Sequence, residues 1–278
     1  MKLPNFLIVG VPKAGTTSVY YWLNQHPQVY MSPIKEPHYF SQIGNEDHVN
    51  SWEDYVKLFS DVNTEHLAIG EASTSYFHFY KRAIPLIKKH LGSPKIIVIL
   101  RNPVERAWSH YMYYRKLGRE SNSVNIIVTN SYTCKEEPWG IKNPYIELSF
   151  YSEALEAYLD SFANVKVMFY DDLKHRPHDF IKELYEFLDV DSDFMPGFEV
   201  RNISGEPRNK LIGFLLSNSL SQKIIPRIPY VIKAPFRKIL LKKKDMPKEI
   251  KRELLNIYLE DIEKVEKLLG VNLEHWKS

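Results

Sequence analysis

The chain has 278 residues, 44% hydrophobic and 26% charged, ordinary proportions for a globular protein that can bury a sizeable core. A net charge of +3 and a pI near 8.6 are too mild to demand a nucleic-acid partner, and the single cysteine, Cys134, excludes an intrachain disulfide. No apolar run approaches the ~20 residues that a spanning helix needs. Met1-Lys-Leu-Pro-Asn leads directly into an apolar run, so we expect no signal peptide and a soluble cytoplasmic protein.

In chain order, Phe6 to Val9 predicts a buried strand, Gly10-Val-Pro-Lys-Ala-Gly15 a tight loop, and Thr16 to His26 an amphipathic helix stopped by Pro27. A strand, a glycine-bounded loop and a helix N-terminus make an anion cradle, because unpaired backbone N–H groups and the helix dipole aim at one spot. The spacing Gly10-x4-Gly15 matches the nucleotide P-loop, yet Thr16 follows the second glycine where lysine is expected, and the lysine sits inside the loop as Lys13. Pro27 to Phe40 holds three prolines, which predicts a fixed loop without a strand, and it gathers Lys35, Glu36 and His38. A short helix capped by Ser51 follows, then a strand at 67–70 and a helix from Arg82 to Leu91 closed by Gly92.

Lys95-Ile-Ile-Val-Ile-Leu100 is the strongest strand signal, a β-branched run suited to the middle of a parallel sheet. It ends in Arg101-Asn-Pro103, with Pro103 placed for the first turn of a helix reaching about Leu117. Residues 118–149 are poorly periodic and predict a lid or substrate loop. A helix at 151–162, a strand at 165–170 and a helix at 176–188 come next. The basic segment 207–246 follows, in which Pro207 to Lys244 carry ten Lys or Arg and no acid; a helix over 248–269 capped by Gly270 closes the chain. The whole predicts one P-loop-type α/β domain over 1–278, a central parallel sheet flanked by helices.

A P-loop NTPase needs lysine after the second glycine and a metal-binding carboxylate ending a neighbouring strand. Here the best strand ends in Arg101, whose guanidinium binds an anion directly and repels a metal. The loop therefore reads as a site for a phosphate-bearing ligand without a metal.

Pro12-Lys-Ala-Gly-Thr-Thr17 together with Ile97-Val-Ile-Leu-Arg-Asn-Pro-Val-Glu-Arg-Ala-Trp-Ser-His110 resembles the sulfotransferases that use 3′-phosphoadenosine 5′-phosphosulfate (PAPS), and most of all the bacterial and heparan sulfate (carbohydrate) type. Lys35 to Phe40, Gly70 to Tyr76 and Phe169 to Leu173 extend the likeness. The resemblance implies that Lys13, Ala14, Gly15, Thr16, Thr17 and Ser18 hold the 5′-phosphosulfate, and that Arg101 and Ser109 hold the 3′-phosphate with help from Arg208. Lys13 would stabilise the leaving oxygen, the product would be adenosine 3′,5′-bisphosphate, and no metal would take part.

Glu36 then stands where carbohydrate sulfotransferases keep the general base, with His38 as the rival. A structural ion pair between Glu36 and Lys35 competes with both readings. Ala72 departs from the lysine of heparan-type enzymes, which puts their glycan-binding mode in doubt here. The expected partner is a hydroxyl-bearing acceptor (sugar, lipid or small molecule) and no nucleic acid. Residues 223–244 offer peripheral attraction to an anionic membrane or an acidic acceptor. The alternatives from other classes are a P-loop nucleotide kinase or NTPase and a non-catalytic nucleotide-binding module.

Overall fold

The computed structural model describes residues 2–43, 49–117, 120, 122–129, 144–198, 206–207, 241–242 and 244–278. The chain divides into two compact units, one of Met1–Arg101, Tyr151–Glu199 and Lys264–Val271, the other of Asn102–Phe150, Val200–Glu263 and Asn272–Ser278.

The first unit holds a five-stranded parallel sheet in the order β2-β3-β1-β4-β5. The strands are β1 (Phe6–Gly10), β2 (Val29–Met31), β3 (Ala68–Ala72), β4 (Lys95–Leu100) and β5 (Val165–Phe169). Phe6 to Val9 and Ile96 to Leu100 have no exposed surface, because both faces of the sheet are covered, and that is why these strands read as unbroken apolar runs. β1 pairs with β3 on one side and β4 on the other. The winding therefore reverses at β1, the place where α/β sheets bind ligands beyond their strand C-termini.

The helices of this unit are α1 (Thr16–Leu23), α2 (Trp52–Lys57), α3 (Ser75–His78), α4 (Tyr80–Leu91), α7 (Ser152–Ser161), α8 (Tyr170–His175) and α9 (Pro177–Leu188). α5 (Pro103–Lys116) and the short α6 (Ile126–Thr129) belong to the second unit. A final helix, α10 (Lys248–Leu269), buries Ile250, Leu254, Tyr258, Ile262 and Val265 along one stripe, as its spacing predicts. Asn102 caps α5 by accepting from the amides of Val104 (3.0 Å) and Glu105 (3.3 Å), and Pro103 takes the first turn.

Several elements differ from the sequence reading, among them the short helices α3 and α6 where none is expected. Val29–Met31 is an edge strand inside the proline-rich stretch, ordered by pairing with Ala68–Gly70. β3 continues through Glu71 to Ala72, burying an acid expected to lie after the strand. α8 starts at Tyr170, directly where β5 ends. Among the described residues no helix is long and apolar enough to cross a membrane. Of the basic stretch 223–244, only 241–242 and 244 fall within the described residues, and most of 118–149 lies outside them as well.

Candidate active site

The anion cradle forms where β1 leaves the sheet. A Cβ on Gly10 would lie 2.5 Å from Phe77 Cβ, so only glycine fits this exit. The chain stays tied to β4 through Val11 N, which donates to Ile99 O at 3.0 Å. Lys13 then adopts φ 73° and Gly15 φ 84°, and Gly15 becomes the N-cap of α1. Ala14 N donates to Val11 O, and the amides of Ser18 and Val19 donate to Gly15 O. The amides with no acceptor inside a helix are its first ones, here those of Thr16 and Thr17 beside Gly15. Gly15→Ala would place a methyl 3.0 Å from Leu173 Cδ1 in a left-handed conformation, costing roughly 1–2 kcal/mol for the conformation alone. Thermal unfolding should therefore show a lower Tm; an unchanged Tm would mean that the loop tolerates a Cβ there.

Arg101 closes the cradle from the end of β4. Its Nη1 donates to Lys13 O at 3.0 Å, and its guanidinium carbon lies 4.4 Å from the centroid of the Tyr170 ring. Tyr170 also lines the space beside Gly15, 3.3 Å from where its Cβ would be. Loop, strand end and the first turn of α8 thus converge on one place. Ser109 is buried on α5, in the second unit, and Arg208 lies outside the described residues.

The loop after β2 carries the second group. It is sewn to β3 by Ser32 N to Gly70 O (2.8 Å), Glu36 N to Ala72 O (3.0 Å) and His38 N to Ser73 Oγ (3.0 Å). Glu36 and His38 both adopt left-handed backbone, at φ 62° and 57°. The Lys35 ammonium bonds Glu36 Oε1, His38 Nε2 stands 3.3 Å from Oε2, and Thr74 Oγ1 donates to Oε1 at 3.4 Å. The Glu36 side chain keeps 30% of its surface open while protein atoms crowd it elsewhere. Burial pushes its carboxyl up, but Lys35 and the hydrogen bond and charge of His38 outweigh this and bring it down to about 2. Lys35 and Glu36 form an ion pair that leaves the carboxylate partly open.

Glu71, wholly buried on β3, accepts from Ser73 Oγ at 2.7 Å and Tyr55 OH at 3.3 Å. Burial, aided by the Glu36 charge and opposed by hydrogen bonds, raises its carboxyl from 4.5 to about 7. Between those values the folded chain holds a proton that the unfolded chain has released, so stability falls as pH rises through that window, by roughly 3 kcal/mol. Glu71→Gln should flatten that slope in denaturant titrations at pH 5 and 7.5. An unaltered slope would place its origin elsewhere.

The sulfotransferase domain model matches residues 3–210 of the sequence. The chain belongs to the sulfotransferase family. It is 31% identical over 172 residues to human (Homo sapiens) carbohydrate sulfotransferase 15, covering 46% of this chain and 30% of that one. It is 28% identical over 203 residues to the bifunctional heparan sulfate N-deacetylase/N-sulfotransferase 4 of Mus musculus, covering 68% of this chain and 22% of that protein. The chain thus spans less than a third of the length of either relative. The crystal structure of a sulfotransferase from Alicyclobacillus acidocaldarius superposes with a TM-score of 0.73 over all of both chains, at 26% identity.

Within this sulfotransferase, Lys13 and Arg101, far apart in sequence, meet through a hydrogen bond, and His38 Nε2 stands 3.3 Å from Glu36 Oε2. Sequence reasoning missed Tyr170, Thr74 and the serines at 41, 73 and 75. The hydroxyl-rich run Ser73-Thr-Ser75 just after a strand was the signal available for three of them.

Proposed function

We propose that this sulfotransferase moves the sulfuryl group of PAPS onto a hydroxyl, with Glu36 as general base and Lys13 at the leaving oxygen. The observation that carries the reading is backbone geometry. Among the described residues only five non-glycine residues adopt positive φ, and Lys13, Glu36 and His38 are three of them. Such conformations cost about 1–3 kcal/mol each and persist where a site requires them.

The residues fit the donor chemically. A glycine-capped helix start and Lys13 suit the 5′-phosphosulfate, and Arg101, held against Tyr170, suits a phosphate. The acceptor oxygen attacks sulfur and its proton passes to a Glu36 oxygen. The bond from sulfur to the bridging oxygen breaks, leaving its electron pair on the phosphate, where the Lys13 ammonium offsets the charge. With a carboxyl near 2, Glu36 is a weak base, so proton transfer comes late, after bond formation to sulfur has made the hydroxyl acidic. A carbohydrate is the acceptor class favoured by the names of the two relatives, although the second is named for transfer to nitrogen.

The test is incubation with PAPS and a panel of sugars, lipids and phenols, read by mass spectrometry for the addition of one sulfuryl group. Stronger thermal stabilisation by ATP with Mg²⁺ than by adenosine 3′,5′-bisphosphate would overturn the reading in favour of a nucleotide kinase. Donor binding without transfer to any acceptor would favour a non-catalytic module.

A further inference from the structure

Three side chains behind Glu36 form a chain of hydrogen bonds whose proton positions follow from counting. His38 is 6% exposed, and Ser41 and Ser75 are wholly buried. Ser41 Oγ lies 2.9 Å from His38 O; a carbonyl only accepts, so Ser41 donates there. Ser75 Oγ lies 2.9 Å from Ser41 Oγ, and with the Ser41 proton already committed, Ser75 donates to Ser41. The one hydroxyl proton of Ser75 is then used. Its oxygen, 2.6 Å from His38 Nδ1, can only accept, so Nδ1 carries a proton.

That leaves Nε2, 3.3 Å from Glu36 Oε2. A neutral ring protonated on Nδ1 would turn a lone pair toward a carboxylate. All four contacts are satisfied together only when both ring nitrogens carry protons. We propose that Ser41 and Ser75 are positioning residues that fix the Nδ1–H form of His38, so that it faces ionised Glu36 as an imidazolium. His38 then has no lone pair to offer an acceptor hydroxyl, which leaves Glu36 to take the proton. This inference rests on the assignment of Glu36 under the proposed function and extends it to three residues behind the base. The serines act at second hand, through the ring, and touch no reacting atom.

Nitrogen-15 NMR of the histidine-labelled full chain at neutral pH tests it directly, with the His38 signals identified by their loss in His38→Gln. We expect both ring nitrogens of His38 protonated. A neutral ring, or a bare Nδ1, would overturn the proposal. Ser41→Ala supplies the second arm, because it frees the Ser75 proton to turn toward Nδ1. The neutral Nε2–H ring, donating to Glu36, should then appear, where the unaltered protein lacks it. Ser75→Ala should lower kcat by about fivefold, the equivalent of one lost hydrogen bond of roughly 1 kcal/mol, and Ser75→Thr, which keeps the hydroxyl, should restore it. Equal kcat in Ser75→Ala and Ser75→Thr would overturn a positioning role. The NMR result does not depend on turnover. Absence of sulfuryl transfer to every acceptor, with the ring doubly protonated, would sink the functional reading alone.

Discussion

Glu36→Gln is expected to lower kcat by roughly 10²–10⁴-fold, the range that a positioned base contributes. Binding of adenosine 3′,5′-bisphosphate should stay within a factor of two or three, of order 0.5 kcal/mol. The change keeps shape and removes charge, so it separates chemistry from architecture. The amide oxygen can still accept from Lys35, while its NH₂ group cannot accept from His38 Nε2. Some stability at neutral pH should be lost as well, because a carboxyl held near 2 stabilises the fold above its ordinary value near 4.5 and an amide does not. Calorimetric affinity for the bisphosphate and single-turnover rates with PAPS check both halves. A variant that keeps its rate, beside a His38→Ala variant that loses it, would transfer the role of base to His38.

Lys13→Met should cost about 10²–10³-fold in kcat, comparable with the loss of one donor at a developing oxyanion. The Lys13 contact with Arg101 runs through its backbone oxygen, so methionine keeps the loop tied to the strand end and removes only the ammonium. Arg101→Lys makes the complementary prediction. It gives up the guanidinium contact over the Tyr170 ring and should weaken bisphosphate binding more than it slows the bound complex. Steady-state kinetics would show a kcat effect for Lys13 and a KM effect for Arg101. The same split for both variants would mean that the two cations serve one purpose.

The strand–loop–helix of residues 6–23 and the strand 95–100 were legible because burial on both faces writes continuous apolar runs, and because glycine and proline mark the turns at their ends. α10 was legible from its stripe of eight apolar positions. Val29–Met31 was not, since three residues carry no period and only the pairing with β3 orders them. Glu71 reads from sequence as lying beyond its strand because a carboxylate inside one contradicts propensity; its hydrogen bonds to Ser73 and Tyr55 outweigh that preference. The left-handed backbone at Lys13, Glu36 and His38 left no mark either, as none of the three is glycine. Glu36 and His38 could be named as rivals from sequence. Their partnership depends on Ser41 and Ser75, which come from different segments and carry no spacing signal.

The strand order has a kinetic consequence. Phe6 on β1 pairs with Gly70 on one side and Lys95 on the other, so β1 has no strand neighbour until chain far downstream of it has emerged. Contacts of such sequence separation are slow to close, and the loop from Gly10 to Gly15 depends on them, through Ile99 and Arg101, for its shape. The loop that follows β1 thus acquires its full geometry only after β4 has been made. A nascent chain stalled before β4 would carry the whole motif and its β3 neighbour, yet lack the Ile99 and Arg101 contacts that tie the loop to a strand end.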